Sequence, residues 1–251
     1  MSGNERSRGP GARGRNGRVL VMLLTGVGLL TGVILVVVWL TGGRDRTDSD
    51  TGPSGDAVFL PAPQTNGGMT VAEALARRRS VRDFADRRVP IEALSQLCWA
   101  AQGITDCSQG LRTAPSAGAL YPLTVFVVTA EGVDEYQPAG HSLRRVRSGD
   151  VRDRLRESAD SQSWVSAAPL CLVISTDVSR TAAKYGGRAE RYCLLEAGHS
   201  AQNVLLQATA LGLTGVPVGA FDDQQVSATL RLPPNLRPLY LLPLGYPRPA
   251  E

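Results

Sequence analysis

Residues 77–82 read Arg-Arg-Arg-Ser-Val-Arg, and residues 114–122 read Ala-Pro-Ser-Ala-Gly-Ala-Leu-Tyr-Pro. The first segment brings guanidinium groups and a hydroxyl close together, and both kinds of group donate hydrogen bonds to phosphate oxygens. The second segment is built of small residues, so that a flat ring can approach its backbone. The two segments predict a site for a phosphate carried on a planar ring, as in flavin mononucleotide (FMN).

The excess positive charge of the sequence is concentrated at its N-terminus. The 251 residues carry a formal net charge of +4, and residues 1–18 contain five arginines against one acid, Glu5. The rest of the chain is close to neutral and lacks the strongly basic character of a nucleic-acid-binding domain. We therefore expect no nucleic-acid partner.

Residues 19–40 form an uncharged apolar run, long enough as a helix to cross about 30 Å of hydrocarbon. The run lacks the small-residue cleavage site of a secretory signal. Arginines precede it and aspartates follow it, a bias that keeps the N-terminus in the cytoplasm. The sequence predicts a single-pass membrane protein with a cytoplasmic tail (1–18), a transmembrane helix (19–40), a flexible tether (41–68) and an extracytoplasmic flavin-binding domain (69–251).

Helical and strand patterns alternate from residue 69 onward. Thr70 and Glu73 have the spacing of a helix capping box, and Pro90 suits the start of a second helix. Compact apolar runs predict strands, and a long periodic segment predicts a long helix; these segments are 125–129, 170–175, 216–220 and 239–244 for the strands and 188–211 for the helix. The order of the elements predicts an α+β fold with a mixed central sheet flanked by helices.

The cysteines do not have the spacing of a metal site. Cys98, Cys107, Cys171 and Cys193 form no Cys-x-x-Cys pair, so neither zinc nor an iron–sulfur cluster is expected. Cys171 lies in an apolar run and is expected to be a buried structural thiol. The sequence leaves open whether Cys98 pairs with Cys107.

Five ordered motifs resemble the nitroreductase superfamily. Besides the two segments quoted above, they are residues 196–203 (Glu-Ala-Gly-His-Ser-Ala-Gln-Asn), 212–221 (Gly-Leu-Thr-Gly-Val-Pro-Val-Gly-Ala-Phe) and 242–247 (Leu-Pro-Leu-Gly-Tyr-Pro). Within the superfamily the chain looks most like the SagB/ThcOx-type FMN-dependent dehydrogenases, which oxidise azolines to azoles in peptide natural products. The resemblance spans residues 70–248 and implies a nitroreductase-like homodimer with two flavins at the subunit interface.

The resemblance also implies which residues bind the flavin. The positions that match the phosphate- and ribityl-binding residues are Arg78, Arg79, Ser80 and Arg82. The positions that match a ring-contacting loop, commonly contributed by the partner subunit, are Pro115, Ser116, Ala117 and Gly118. The positions that match the segment on the other side of the ring are Pro217, Val218, Gly219 and Ala220. Gly219 stands where some nitroreductases carry an acidic residue.

Lys184 and Tyr185 are the candidate catalytic residues. Lys184 is the one lysine in the sequence, and azoline-oxidising members of the family carry a Lys-Tyr pair at the corresponding place. Desolvation lowers the pKa of a lysine toward a value at which it can remove a carbon-bound proton; an ordinary surface lysine is the alternative. For His199 and Gln202, the alternatives are buried polar packing groups or flavin contacts.

The sequence thus predicts a membrane-anchored, FMN-dependent oxidoreductase of the SagB-like type. It would transfer hydride between flavin and a small-molecule or peptide-derived substrate. One alternative is an NAD(P)H-dependent reductase of nitroaromatics or quinones, with NAD(P)H as electron donor. Another is a non-catalytic scaffold that keeps the flavin fold.

Overall fold

The computed structural model describes residues 57–249, and apolar runs within this range form the strands of a central sheet. The strands are β1 (Val58–Phe59), β2 (Ile104–Asp106), β3 (Leu111–Arg112), β4 (Leu123–Thr129), β5 (Gly132–Gln137), β6 (Ser142–Ser148), β7 (Leu170–Thr176), β8 (Thr214–Gly215) and β9 (Arg237–Gly245). The helices are α1 (Val71–Arg77), α2 (Ile91–Gln102), α3 (Arg152–Ser158), α4 (Ser163–Ala167), α5 (Val178–Tyr185), α6 (Ala189–Ala210) and α7 (Asp223–Leu230).

The central sheet has seven strands in the order β1-β6-β5-β4-β7-β9-β8, while β2 and β3 form a separate hairpin. Neighbouring strands of the large sheet all pair antiparallel. The predicted mixed sheet is therefore corrected to an antiparallel one; the parallel pairing found is an isolated bridge between Ser80 and Gly215. The predicted strand 216–220 is likewise replaced by the two-residue β8 and a single bridge from Val218 to Leu241.

Helices cover both faces of this sheet, as the predicted α+β architecture requires. Val125 and Val127 of β4 pack with α2 and α6 on one face. Phe126 and Val128, which point the opposite way, pack with α3, α4 and α7 on the other. Every residue of β7 is buried because this strand lies between two helical layers.

The helix boundaries predicted from capping residues are confirmed. Thr70 and Glu73 form both hydrogen bonds of a capping box at the start of α1. Pro90 is the residue before α2, and Gly103 directly follows that helix. The long helix α6 agrees with its predicted span to within one residue at each end.

The first residues of the described chain are attached to the domain, although the sequence assigned residues 41–68 to a flexible tether. Strand β1 pairs with β6, and Leu60 is buried in the core. Gln64 and Gln96 exchange two hydrogen bonds of 2.9 Å through the Gln64 backbone and the Gln96 side chain. A short apolar run within a polar, Pro- and Gly-rich stretch was enough to add an edge strand.

The prediction of membrane localisation is corrected. Within residues 57–249 no helix is long and apolar enough to cross a membrane. The predicted tail (1–18) and transmembrane helix (19–40) lie outside the described residues. The structure therefore provides no basis for an extracytoplasmic placement of the flavin-binding domain.

The close packing of Gly215 gives a stability prediction. A β-carbon at this position would lie 2.7 Å from the carbonyl oxygen of Pro243 and 2.6 Å from a methyl of Leu244. We expect Gly215→Ala to lower the free energy of unfolding by about 1–3 kcal/mol, the usual cost of overpacking. Urea titration would measure this change. The matched control is Gly187→Ala, since no heavy atom lies within 4 Å of a β-carbon there; equal stability of the two variants would contradict the prediction.

Candidate functional site

The register between β4 and β7 brings two predicted site segments to the same end of the sheet. Leu123, the first residue of β4, pairs with Thr176, the last residue of β7. The backbone N–H of Asp177 also donates to the carbonyl oxygen of Pro122 at 2.9 Å. The loop that ends at Pro122 and the helix α5 that begins after Asp177 must therefore lie side by side.

The loop itself is tightly folded. Gly118, Ala119 and Tyr121 have backbone φ angles of 63°, 53° and 47°, the left-handed region that is unfavourable for residues other than glycine. Ser116 holds this shape because its Oγ accepts a hydrogen bond of 2.9 Å from the backbone N–H of Tyr121. Pro115 and Gly118 are exposed, whereas Ser116 and Ala117 are partly buried. The loop thus presents a small, fixed surface.

Both candidate catalytic residues contact this loop. A β-carbon placed on Gly118 would lie 2.8 Å from the Tyr185 hydroxyl and 2.9 Å from Lys184 Nζ. Tyr185 is held in place by an edge-to-face contact with Tyr192 of α6, at 5.0 Å between ring centroids. The structure therefore brings Lys184 and Tyr185 together with a predicted ring-contacting residue from a distant part of the chain.

The predicted desolvation of Lys184 is absent from the single chain, because its side chain is exposed. Its position at the C-terminal end of the short, exposed helix α5 accounts for this difference. Burial of Lys184 requires an additional molecule against the loop.

A buried acid lies beneath the same loop. Glu196, on α6, is 3% exposed, and its Oε2 accepts a hydrogen bond of 2.5 Å from Ser116 Oγ. Its other oxygen, Oε1, has no hydrogen-bond partner within the described residues. Burial raises the pKa of Glu196 to about 7, against the opposing effects of the Ser116 hydrogen bond and the Arg112 guanidinium.

Arg112 is fixed beside this acid. Its Nη1 donates to Gln102 Oε1 at 2.9 Å, and its guanidinium lies over the ring of Tyr121, 4.6 Å from the centroid. Arg180 on α5 adds a second positive charge that lowers the pKa of Glu196. We call Ser116, Gly118, Lys184, Tyr185 and Glu196 the loop cluster.

The arginine segment lies at the other end of β7. Ser80 bridges to Gly215, and the N–H of Val81 donates to the Gly215 carbonyl oxygen at 3.2 Å. Gly215 pairs with Leu244, which in turn pairs with Leu170, the first residue of β7. These contacts attach the arginine segment to β8 at the edge of the sheet.

The arginines of this segment have different surroundings. Arg79 Nη1 donates to the carbonyl oxygens of Ala76 and Arg78, so it caps the C-terminus of α1 rather than pointing toward a ligand. Arg82 is exposed and lies over Trp164, 5.2 Å from its ring centroid. Within residues 57–249 neither Arg78 nor Arg82 forms an ion pair with a carboxylate.

The segment 217–220 follows β8, the strand to which Ser80 is bridged. Val218 is buried and exchanges two backbone hydrogen bonds with Leu241, while Pro217, Gly219 and Ala220 are exposed. A β-carbon on Gly219 would meet no heavy atom within 4 Å, so this backbone is open to a planar group. We call residues 78–82 together with 217–220 the arginine edge. The guanidiniums of Arg78 and Arg82, which pair with no carboxylate within residues 57–249, and the exposed backbone fit an anionic phosphate joined to a flat ring.

The loop cluster and the arginine segment are separate within one chain. Strand β7 has seven residues, so its ends are about 20 Å apart. The loop cluster lies at the Thr176 end, whereas the Ser80 bridge lies at the Leu170 end. Within the described residues, no hydrogen bond or ion pair joins the two groups.

Several residues near the site were not identified from the sequence. Arg112, Arg180 and Glu196 are far apart along the chain, and Glu196 was noted only as part of a motif. Trp164 lies beside Arg82, and its sequence surroundings did not indicate this contact. His199 and Gln202 are exposed on α6, so neither is the buried packing group that one alternative predicted.

The cysteines take no part in either group. All four are free, with Cys98, Cys171 and Cys193 buried and Cys107 exposed. The possible Cys98–Cys107 disulfide is therefore absent, and the prediction of Cys171 as a buried thiol is confirmed.

Comparisons with known proteins agree with this fold. The model of the nitroreductase family matches residues 75–246. A protein of Methanocaldococcus jannaschii named as a nitroreductase is 38% identical, covering 76% of this chain and 98% of the relative. A crystal structure from Ralstonia eutropha, also named as a nitroreductase, has a TM-score of 0.72 and 29% identity, covering 77% of this chain and 90% of that one.

More distant relatives have names that describe different reactions. The microcin B17-processing protein McbC of Escherichia coli is 26% identical, over 60% of this chain and 60% of its own. Others are named FMN reductase [NAD(P)H], in Bacillus subtilis, and NADPH-flavin oxidoreductase, in Vibrio harveyi. From the matched family and these relatives, we conclude that this chain belongs to the nitroreductase family of FMN-dependent oxidoreductases.

Proposed function

We propose that this protein is an FMN-dependent dehydrogenase of the SagB-like type, which removes hydride from a small-molecule or peptide-derived substrate. The observation that supports this proposal is the contact of Lys184 and Tyr185 with Gly118 in the ring-contacting loop. In this proposal a basic amine and a phenol stand where a substrate proton must be removed. The more distant similarity to McbC agrees with this substrate class.

In this proposal the arginine edge holds the cofactor. Arg78, Arg82 and Ser80 bind the phosphate, and the exposed backbone of Pro217, Gly219 and Ala220 contacts the ring. Bound FMN supplies the two-electron chemistry, and the protein provides binding, orientation and proton transfer. Arg79 stabilises the segment by capping α1 and contributes its charge at longer range.

We further propose that each site is formed by two copies of the chain. The Ser80 bridge lies at the opposite end of β7 from the loop cluster, and Val218 lies level with the middle of that strand through Leu241. A second copy would bring a loop to the ring held at the arginine edge. Apolar side chains on α1 and α6 are strongly exposed, with Val71 at 71%, Leu75 at 55% and Leu195 at 51%. Exposed apolar surface of this kind marks interaction sites. A homodimer would cover it and would place the loop of one copy over the cofactor of the other.

Within such a dimer Lys184 and Tyr185 of the loop cluster would have different roles in the reaction. Covering the loop would remove water from Lys184, which favours the neutral amine that can accept a proton. The Tyr185 hydroxyl, beside Gly118, would orient the substrate by a hydrogen bond. The expectation of a catalytic lysine therefore depends on the second copy.

Reduction by NAD(P)H is the second candidate function. The relatives named as an FMN reductase and an NADPH-flavin oxidoreductase favour it. The absence of a side chain at Gly219 would leave space for a nicotinamide, since even a β-carbon there would meet no described heavy atom within 4 Å. Oxygen consumption with an azoline-containing peptide, compared with oxidation of NADPH in the presence of a quinone, separates the two directions. The non-catalytic alternative has no support from the comparisons, which indicate an oxidoreductase.

Cofactor binding gives the first functional prediction. Arg82→Ala should weaken FMN binding by at least about tenfold, because a charge-assisted hydrogen bond contributes about 1.5–3 kcal/mol. Quenching of FMN fluorescence on titration with the full-length protein measures this. The control is Arg154→Ala on α3, which removes the same charge from an exposed position. Unchanged affinity in the Arg82 variant would contradict the phosphate assignment.

The catalytic pair, Lys184 and Tyr185, gives the second functional prediction. Lys184→Gln should lower kcat/KM for azoline oxidation by about 10²-fold, the usual contribution of a general base. FMN affinity should change much less than in Arg82→Ala, because Lys184 does not belong to the segment proposed to bind the phosphate. If the wild type and Lys184→Gln both oxidised NADPH and neither oxidised an azoline peptide, the result would instead support the reductase.

The proposed site formed by two copies of the chain gives the third functional prediction. Arg82→Ala and Lys184→Gln chains damage different halves of the site, so each homodimer should be impaired. Co-refolding them produces mixed dimers in which one site is intact, and about a quarter of wild-type activity should return. Activity that stays at the level of the separate variants would show that one copy supplies both halves.

A further inference from the structure

A hydrogen bond beneath the loop joins a buried acid to a partly exposed serine. Ser116 Oγ lies 2.5 Å from Glu196 Oε2 and accepts from the N–H of Tyr121 at 2.9 Å. Glu196 is buried, whereas Ser116 is partly exposed. We propose that Glu196 and Ser116 form a proton relay that delivers a proton to a molecule bound against residues 115–118. This inference rests on the proposed function, which places the flavin and substrate at that surface.

The surrounding groups determine which oxygen of Glu196 carries the proton. Arg112 donates to Gln102 Oε1, and this directs the amide Nε2 of Gln102 away from the guanidinium. The same amide lowers the pKa of Glu196, so it lies close to the acid, although neither Gln102 Nε2 nor Glu196 Oε1 has a hydrogen bond of normal geometry. The hydrogen bond that the structure gives the Glu196 carboxyl joins Oε2 to Ser116, so we place the transferred proton on this oxygen.

A proton on Oε2 reverses the direction of the bond to Ser116. The acid then donates to Ser116 Oγ, which already accepts from Tyr121. With both Oγ lone pairs occupied, the Ser116 hydrogen is free to donate outward to the bound molecule. In the transfer step, Ser116 gives its proton to an acceptor atom while Glu196 gives its own to Ser116 Oγ. The products are a protonated acceptor, an unchanged serine and a Glu196 carboxylate.

The charged groups that face Glu196 stabilise this carboxylate. Arg112 from β3 and Arg180 from α5 both favour ionisation, whereas burial opposes it. Gln102 from α2 and the Tyr121 ring carry no formal charge. The amine of Lys184, which belongs to α5, lies beside Gly118 of the loop. The opposing effects leave the pKa of Glu196 at about 7, where a group can both give and regain a proton near neutral pH.

Glu196→Gln is the variant that tests the relay, because glutamine keeps the size and can donate to Ser116 but has no proton to transfer. The holoprotein is reduced with dithionite and then re-oxidised with nitrofurazone in a stopped-flow spectrometer. The wild-type rate should fall as the pH rises above about 7, and Glu196→Gln should be at least about tenfold slower, without that pH dependence. Glu190→Gln, an exposed substitution on the same helix, should behave as wild type.

A second measurement does not depend on flavin. The folded-state pKa of Glu196 is raised from the ordinary 4.5, so its contribution to stability is complete below 4.5 and is lost as the pH rises through about 7. Between about pH 5 and about pH 8 the unfolding temperature of the wild type should therefore fall relative to that of Glu196→Gln. Parallel curves would overturn the relay even if no flavin bound, whereas lack of FMN binding alone would overturn only the proposed function.

A second variant distinguishes the relay from a purely structural role for Glu196. Ser116→Ala removes the relay partner but leaves the acid, and it should slow re-oxidation as much as Glu196→Gln does. The double variant should be no slower than either single variant, because the two residues act in one path. Additive losses, or a wild-type pH profile in Glu196→Gln, would overturn the proposal.

Discussion

The antiparallel register of β4, β7 and β9 is the constraint on which the site depends. Pairing of Leu123 with Thr176 places the small-residue loop next to α5, and pairing of Leu170 with Leu244 places β8 and the arginine segment at the opposite end. Because β7 is buried on both faces, shifting its register by one residue would turn every side chain to the wrong helical layer. The packing of the core therefore fixes the positions of residues that are more than a hundred positions apart in the sequence.

The sequence was informative wherever a few neighbouring residues determine the structure. The capping box at Thr70, the proline at the start of α2 and the apolar runs of β4 and β7 depend on local chemistry, and all were predicted. Strands β5 and β6 were not predicted, because charged residues interrupt their apolar pattern: Asp134 pairs with Arg145, and Glu135 with Arg144, across the two strands. Those charges are favourable in a paired edge of the sheet but give no apolar pattern along a single strand.

The candidate site, too, was predicted from the sequence only where neighbouring residues gave a clear signal. The arginine and small-residue segments were evident because their composition is unusual, and the Lys184–Tyr185 pair because a family resemblance marked it. Glu196 gave no such signal: an acid within a helix is usually exposed, and only the fold reveals that α2, β3 and the loop enclose this one. The mixed sheet was expected because helices and strands alternate along the chain. The hairpin connections that make it antiparallel became evident only once β5 and β6 were known.

The pairing of β1 with the outer side of β6 has a practical consequence for attaching this protein to other materials. The chain enters the described fold at one edge of the sheet, and β8 forms the other edge, about 29 Å away across seven strands. A resin, an electrode or a fusion partner joined ahead of β1 would approach the side remote from the arginines. Immobilisation through that end should therefore leave the arginine edge accessible to small molecules in solution.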